Sequence, residues 1–204
     1  MLFLTEDNVR KLLPMAKAVA LVRSGFERLN RGDAINQPRR RLVLPTRSVL
    51  HQMAASSGPY FGTKIYSTHP VHGAHFLFML YDSETARPLL LAEANALGQI
   101  RTGAASGVAT DWLAPKDVES VALLGCGFQG ETQLDAVMTV RPSANIRLWN
   151  RTPEKAEKLA KTVKKKYSGS VKVCRSAEEA VREAQVVITA TSAKDPVFED
   201  GWLG

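Results

Sequence analysis

Met15, Val19, Val22, Phe26 and Leu29 recur every three or four positions, the spacing of one apolar helix face, and the pattern ends near Gly32. Ahead of it, Thr5 followed by Glu6 and Asp7 reads as a helix start, an acceptor side chain before acids that suit the positive end of the dipole. The period then shortens. RLVLP (41–45), YFGTKIYS (60–67), FLFMLYD (76–82) and PLLLAEA (88–94) are short β-rich runs, separated by turn residues such as Ser57-Gly58-Pro59, Gly73 and Asp82-Ser83-Glu84. Such brief connections predict an antiparallel or mixed sheet. Residues Asn95 to Leu113 return to a helical texture, with Gly103, Ala104, Ala105, Ser106 and Gly107 leaving room for close backbone approach, by a neighbouring helix or by a ligand.

Beyond Pro115-Lys116-Asp117 strands and helices alternate. SVALLG (120–125) is a continuous apolar strand of the kind buried in parallel sheets. A helix at about 128–140, strand NIRLW (145–149), a Pro-started helix (153–167), strand VKVC (171–174), helix SAEEAVREA (176–184) and strand QVVITA (185–190) follow. This spacing predicts right-handed βαβ units. The domain boundary is placed near Ala114 to Asp117, giving domains at 1–115 and 116–204.

Composition adds modest constraints. With 45% hydrophobic and 23% charged residues over 204 positions, the chain is long enough to bury a core. The net charge of +7 suits an anionic ligand without pointing to nucleic acid. No run approaches a membrane span, MLFLTEDNVRK lacks the apolar core of a signal peptide, and a cytoplasmic location is expected. Cys126 and Cys174 form no disulfide framework and lack metal-ligand spacing. Pro70 and Gly73 break up His69, His72 and His75, and no Cys or acid joins them, so no metal site is expected. Lys161, Lys164, Lys165 and Lys166 lie late in a helix, where cations complement the dipole, and no aromatic residues interleave with them as in a nucleic-acid site.

The sharpest motif is LLGCGFQG (123–130), which holds Gly125, Gly127 and Gly130 in G-x-G-x-x-G spacing directly after a predicted strand and at a helix start. Gly125 suits the tight turn, Gly127 the approach of a diphosphate, and Gly130 close strand–helix packing, with Phe128 and Gln129 in the first helical turn. The tip of the next strand, where an NAD site carries an acid, reads Trp149-Asn150-Arg151-Thr152. Arg151, with Asn150 and Thr152 beside it, matches a 2′-phosphate and favours NADP; NAD is the alternative if Arg151 is merely solvated. Thr189-Ala190-Thr191-Ser192 ends a later strand, where such sheets bind ligands.

Three stretches upstream carry cations: Asn36-Gln37-Pro38-Arg39-Arg40-Arg41, Gly62-Thr63-Lys64-Ile65-Tyr66-Ser67, and Gln99-Ile100-Arg101-Thr102-Gly103. Together they suit a substrate bearing a carboxylate. On residue chemistry alone Lys64 is equally a snorkelling surface lysine, and Arg101 a local cap.

These stretches, their order and the glycine motif resemble the ornithine cyclodeaminase/mu-crystallin family over essentially the whole chain, most specifically in GTKIYSTHP (62–70) and RTGAASGVAT (101–110). The resemblance implies an α/β protein in which an N-terminal α+β substrate and dimerisation domain precedes a Rossmann domain, a doubly wound parallel sheet. It implies a homodimer and an NAD(P)-dependent oxidoreductase interconverting an α-amino acid and its imine. A cyclic ketimine such as pyrroline-2-carboxylate would be reduced, or ornithine cyclodeaminated to proline. Alanine dehydrogenase-like activity and cofactor binding without turnover are the alternatives. Lys64 would be the acid/base beside the substrate nitrogen, its strand setting lowering its pKa. Arg101 would clamp the carboxylate, with Thr102 beside the cofactor. A second clamp comes from the Pro38 turn; Arg40 is chosen by its distance from Gln37-Pro38, with Arg39 and Arg41 open. The chain ends at Asp200-Gly201-Trp202-Leu203-Gly204, where family members run on to a Gly-His-rich strand and a second acid/base. A C-terminally incomplete dinucleotide domain, a fragment with weak or no turnover, is therefore expected.

Overall fold

The computed structural model describes residues 1–203, which divide into two compact units, Met1–Gly98 and the residues from Gln99 onward. The first holds β1 (Leu2–Leu4), α1 (Glu6–Leu12), α2 (Met15–Arg31), β2 (Ala34–Asn36), β3 (Arg40–Val43), β4 (Val49–Ser57), β5 (Tyr60–His69), β6 (Gly73–Asp82) and β7 (Pro88–Glu93). The helix α3 (Asn95–Leu113) begins in the first unit and continues in the second. The second unit then runs β8 (Ser120–Leu124), α4 (Phe128–Val140), β9 (Asn145–Trp149), α5 (Pro153–Val163), β10 (Val171–Val173), α6 (Ala177–Val181) and β11 (Val186–Thr189), closing on a 3-10 turn at Asp200–Trp202.

Strand order in the first sheet is β1-β7-β6-β5-β4-β2, with β3 also on β4. Among the described residues only the β1/β7 pair of this sheet is parallel. β4 pairs with β5 along its whole length and with β2 and β3 on its other edge. Its sequence VLHQMAASS is poor in β-formers at the Ala-Ala-Ser-Ser end, so its strand state comes from two flanking partners rather than from propensity. The N-terminal helical region is two helices. Thr5 caps α1 through a capping box with Asn8, Leu13 ends it, and Pro14 caps α2, which stops at Gly32 in the left-handed conformation (φ 80°). Of the apolar face of α2, Met15 and Val19 are buried, whereas Phe26 and Leu29 remain 42% and 43% exposed.

In the second unit the order β10-β9-β8-β11 is parallel throughout. Side chains alternate across β8: Val121 and Leu123 pack with Leu134, Val137 and Met138 of α4 and Leu159, Ala160 and Val163 of α5. Ala122 and Leu124 face Ala177, Ala180 and Val181 of α6 on the other side. Each large aliphatic side chain buried this way is worth about 1.5–3 kcal/mol, so the sheet is held from both faces.

The division at Gly98/Gln99 falls inside α3, earlier than the boundary expected after residue 114. The reason is the small-residue stripe. A Cβ on Gly103 would lie 2.3 Å from the Thr132 carbonyl oxygen, so α3 meets α4 backbone to backbone. The Thr132 hydroxyl donates to the Gln99 carbonyl at 3.2 Å, and the Gln99 side chain donates to the Phe128 carbonyl. At Gly103 the stripe is a helix-packing surface. Arg141, 4% exposed, ties down the far end of α3 through its bonds to the carbonyls of Thr110 (3.3 Å), Ala114 (2.9 Å) and Pro115 (2.8 Å) and to the Asp111 carboxylate (3.1 Å).

Candidate active site: a dinucleotide cleft and a cationic sheet face

The strand order of the second unit reverses between β8 and β11, and ligands in such sheets bind where the strand ends part at that switch. There the structure has a cleft of about 250 Å³, lined by Gly125, Gly127, Trp149, Asn150, Arg151, Thr152, Lys155, Ala190, Thr191 and neighbours through Val197. Gly125 turns the chain off β8 at φ 100°, its amide bonded to the Trp149 carbonyl at 2.9 Å, and a Cβ there would sit 2.4 Å from the Ala190 carbonyl oxygen. A Cβ on Gly130 would sit 2.0 Å from the Gly125 carbonyl oxygen, so this glycine seats α4 against the turn. Gly127 differs: it is exposed, caps α4 with no side-chain bond, and a Cβ on it would meet nothing within 4 Å. The three glycines divide into two that packing requires and one that faces open space beside free helix N–H groups, which fits a diphosphate.

Asn150 is committed locally. Its Oδ1 accepts from the Cys126 amide at 2.9 Å and its Nδ2 donates to the Thr152 carbonyl at 2.9 Å, so it braces the glycine turn against the tip of β9. Arg151 and Lys155 are exposed, and neither pairs with a carboxylate among the described residues. Lys155 escapes the strand-tip pattern because it sits inside α5; only the fold brings it to the cleft beside Arg151. Thr191 lines the cleft, its hydroxyl accepting from the Ala193 amide at 3.2 Å. Thr102, Phe128, Gln129, Gly130 and Thr189 stand outside that lining. Cys126 is half-buried, and burial pushes its thiol up to about 11.

In the first unit, residues paired across antiparallel strands share a sheet face. Met53, Lys64 and Phe78 are in register, and Arg41, His51, Tyr66 and Phe76 form the next row on that face. The Lys64 Nζ lies 5.0 Å from the Tyr66 ring centre and 5.6 Å from that of Phe76. It also lies 3.8 Å from where a Cβ on Gly98 would stand. Arg39 reaches over the same Tyr66 ring at 5.8 Å. Arg40 pairs with Gln52 and lies on the opposite face, in a cleft with Gln52, Thr63 and Ile65. The face that carries Lys64 therefore takes Arg39 and Arg41 and not Arg40, because side chains alternate along β3. Arg39, Arg41 and Met53 line a cleft of about 480 Å³ with Asn36, Gln37 and Pro38. Arg101 lies on α3 in the second unit. Of His69, His72 and His75, where no metal site was expected, the His69 Nδ1 accepts from the amides of Val71 and His72, fixing the β5–β6 turn.

The family model for the ornithine cyclodeaminase/mu-crystallin family matches residues 1–204. The chain belongs to this family. It is 30% identical over 209 residues to a Delta(1)-pyrroline-2-carboxylate reductase of Bacillus cereus, covering 98% of this chain and 64% of that one. It is 36% identical over 144 residues to the ketimine reductase mu-crystallin of Macropus fuliginosus, covering 71% and 44%. The structure of Thermococcus litoralis Delta(1)-pyrroline-2-carboxylate reductase, solved with NADH and L-proline, superposes with a TM-score of 0.91 at 31% identity, covering 100% of this chain and 66% of that one. The chain thus spans about two thirds of the length of these two reductases. Among the described residues no helix is long and apolar enough to cross a membrane.

Proposed function

We propose that this chain binds NADP in the second unit and serves the reduction of a cyclic imino acid of the pyrroline-2-carboxylate type. The observation that carries the reading is the cleft at the β8/β11 switch, with Gly127 open to it and two uncompensated cations, Arg151 and Lys155, at the end where the adenosine ribose lies in such folds. A 2′-phosphate suits both cations, and the acid that would hold a 2′-hydroxyl has no counterpart at the tip of β9. NADH in the Thermococcus relative shows the cofactor class, and the pair of cations favours the phosphorylated form here.

The cofactor supplies hydride to the carbon of a C=N bond, and the chain supplies position and charge. Lys64, stationed over Tyr66 and Phe76, delivers a proton to the nitrogen as the bond is reduced. Arg101 keeps the carboxylate-binding role that the family likeness implies, and the second cation comes from Arg39 or Arg41, which share the face of Lys64. A homodimer in the cytoplasm completes the reading: Ile35, Leu42, Val43 and Phe61 of the first unit expose between 37% and 67% of their surface, apolar area that a second copy would cover.

The test is a set of titrations and rate measurements on the chain. NADPH should bind at least about tenfold more tightly than NADH, the worth of one charge-assisted hydrogen bond. Tighter NADH binding overturns the NADP assignment. NADPH oxidation should occur with pyrroline-2-carboxylate and exceed that with pyruvate plus ammonia. It should also outpace the release of ammonia from ornithine in the presence of NADP, a conversion with no net change in the nicotinamide. Lys64→Ala should lose turnover with NADPH binding unchanged. Cofactor binding without turnover on any of these substrates would make the chain a binding protein.

A further inference from the structure

His51 stands at the centre of the cationic face, and the reaction as described leaves it without a task. It is 8% exposed, and its ring lies flat on Tyr66, 4.2 Å between centres with 3° between planes; Tyr66 in turn stacks on Phe76 at 4.9 Å. Its Nε2 meets the Thr68 hydroxyl at 3.0 Å. Its Nδ1 is buried and has no hydrogen-bond partner among the described residues, an arrangement that costs about 1–3 kcal/mol and calls for a reason. The charged groups facing it are cations: Arg41, its direct partner on β3, Arg39 over Tyr66, and Lys64 next along the face on β5. Its hydrogen-bond partner Thr68 and its stacking partner Tyr66 on β5, the latter backed by Phe76 on β6, carry no negative charge. Beside this cluster opens the cleft lined by Arg39, Arg41 and Met53.

We propose that a carboxylate seated against Arg39 and Arg41 draws a proton onto His51, so that binding of the anion and protonation of the buried imidazole reinforce each other. The proposal rests on reading this face as the substrate end of the site. Without an anion, burial and the two guanidinium groups hold the His51 pKa below its ordinary value, and the ring is neutral at pH 7. An anion between the guanidinium groups cancels their field and removes much of that bias. The pKa is then higher in the complex than in the free chain, so one proton is taken up between the two values. Affinity for the anion therefore rises as pH falls through that window, and levels off below the free-state pKa, where both forms are protonated. Reciprocity limits the slope to about tenfold per pH unit, because a single proton is linked.

The experiment uses the described chain with pyrrole-2-carboxylate and L-proline as probes. Calorimetric titrations between pH 5.5 and 8, in two buffers of different ionisation heat, count the protons taken up. The His51 ring is followed by NMR in the same samples. Wild type should take up a proton on binding, with a fraction that peaks inside the window, and the NMR midpoint of His51 should move up when the probe is added. His51→Phe keeps a ring against Tyr66 without a titratable nitrogen, and should still bind the probes with no uptake and a flat pH profile. Arg41→Gln should raise the His51 midpoint in the absence of any probe, a shift that a purely structural histidine in a neutral setting would not show. Equal proton uptake in His51→Phe and wild type, or binding in wild type with none, overturns the proposal and leaves the substrate reading intact. A chain that binds neither probe at any pH overturns both.

Discussion

Gly127→Ala separates binding from folding in the dinucleotide cleft. The added methyl group meets no atom of the protein within 4 Å, and the φ of −94° at this position is open to alanine. The cost to the fold is confined to a poorer helix cap, up to about 1 kcal/mol. The methyl group instead occupies the space through which a diphosphate approaches the N-terminus of α4. Displacing the phosphate from one backbone N–H loses a hydrogen bond to a charged group, about 1.5–3 kcal/mol, or roughly ten- to a hundredfold in dissociation constant. Gly130→Ala is the contrast. Its Cβ would lie 2.0 Å from a backbone oxygen, so the strand–helix turn itself must shift, at a cost of about 1–3 kcal/mol or more. Trp112, Trp149 and Trp202 all lie in the second unit, so tryptophan fluorescence follows its unfolding, and Trp149 at the cleft reports cofactor binding through energy transfer to the reduced nicotinamide. Gly127→Ala should melt near wild type and bind NADPH weakly, while Gly130→Ala should melt early. Wild-type affinity in Gly127→Ala refutes the assignment of Gly127 as the point of approach. A melting loss equal to that of Gly130→Ala shows that Gly127 too is a packing residue.

Other outcomes follow from the same geometry. Arg141→Met strands the carbonyls of Thr110, Ala114 and Pro115 and should destabilise the second unit by about 3–5 kcal/mol in urea, against less than about 1 kcal/mol if water replaces the guanidinium. Asn150→Asp keeps the acceptor for the Cys126 amide, loses the donor to the Thr152 carbonyl and puts an acid at the tip of β9; the preference for NADPH over NADH should fall at least about tenfold, and an unchanged ratio counts against placing the ribose there. With its thiol pushed up to about 11 by burial, Cys126 in a Cys174→Ala background should alkylate at pH 8 about a hundredfold more slowly than a free thiol, accelerating as pH rises towards that value; a free-thiol rate at pH 8 would contradict the burial.

The elements that could be read along the chain are those whose cause is local. The glycine spacing, the strand before it and the helix after it are set by conformational demands within a few residues, as were the amphipathic period of α2 and the αβ alternation after residue 120. The short strands β1 and β2 and the serine-rich β4 were not legible, because their strand state comes from partners distant in sequence. The helix α3 was legible over Asn95–Leu113, but its small residues announced a close contact without saying with what.

By itself the sequence determined the fold class, the family and the glycine turn between β8 and α4, and it located the cationic stretches proposed to meet a carboxylate. The tertiary structure alone decided which of Arg39, Arg40 and Arg41 share a face with Lys64, since a one-residue step along a strand moves a side chain through the sheet. It alone withdrew Asn150 into a brace, carried Lys155 to the cleft and enclosed His51 among cations. Those outcomes depend on register and on helix placement, sums of many long-range contacts that no local stretch of the chain encodes.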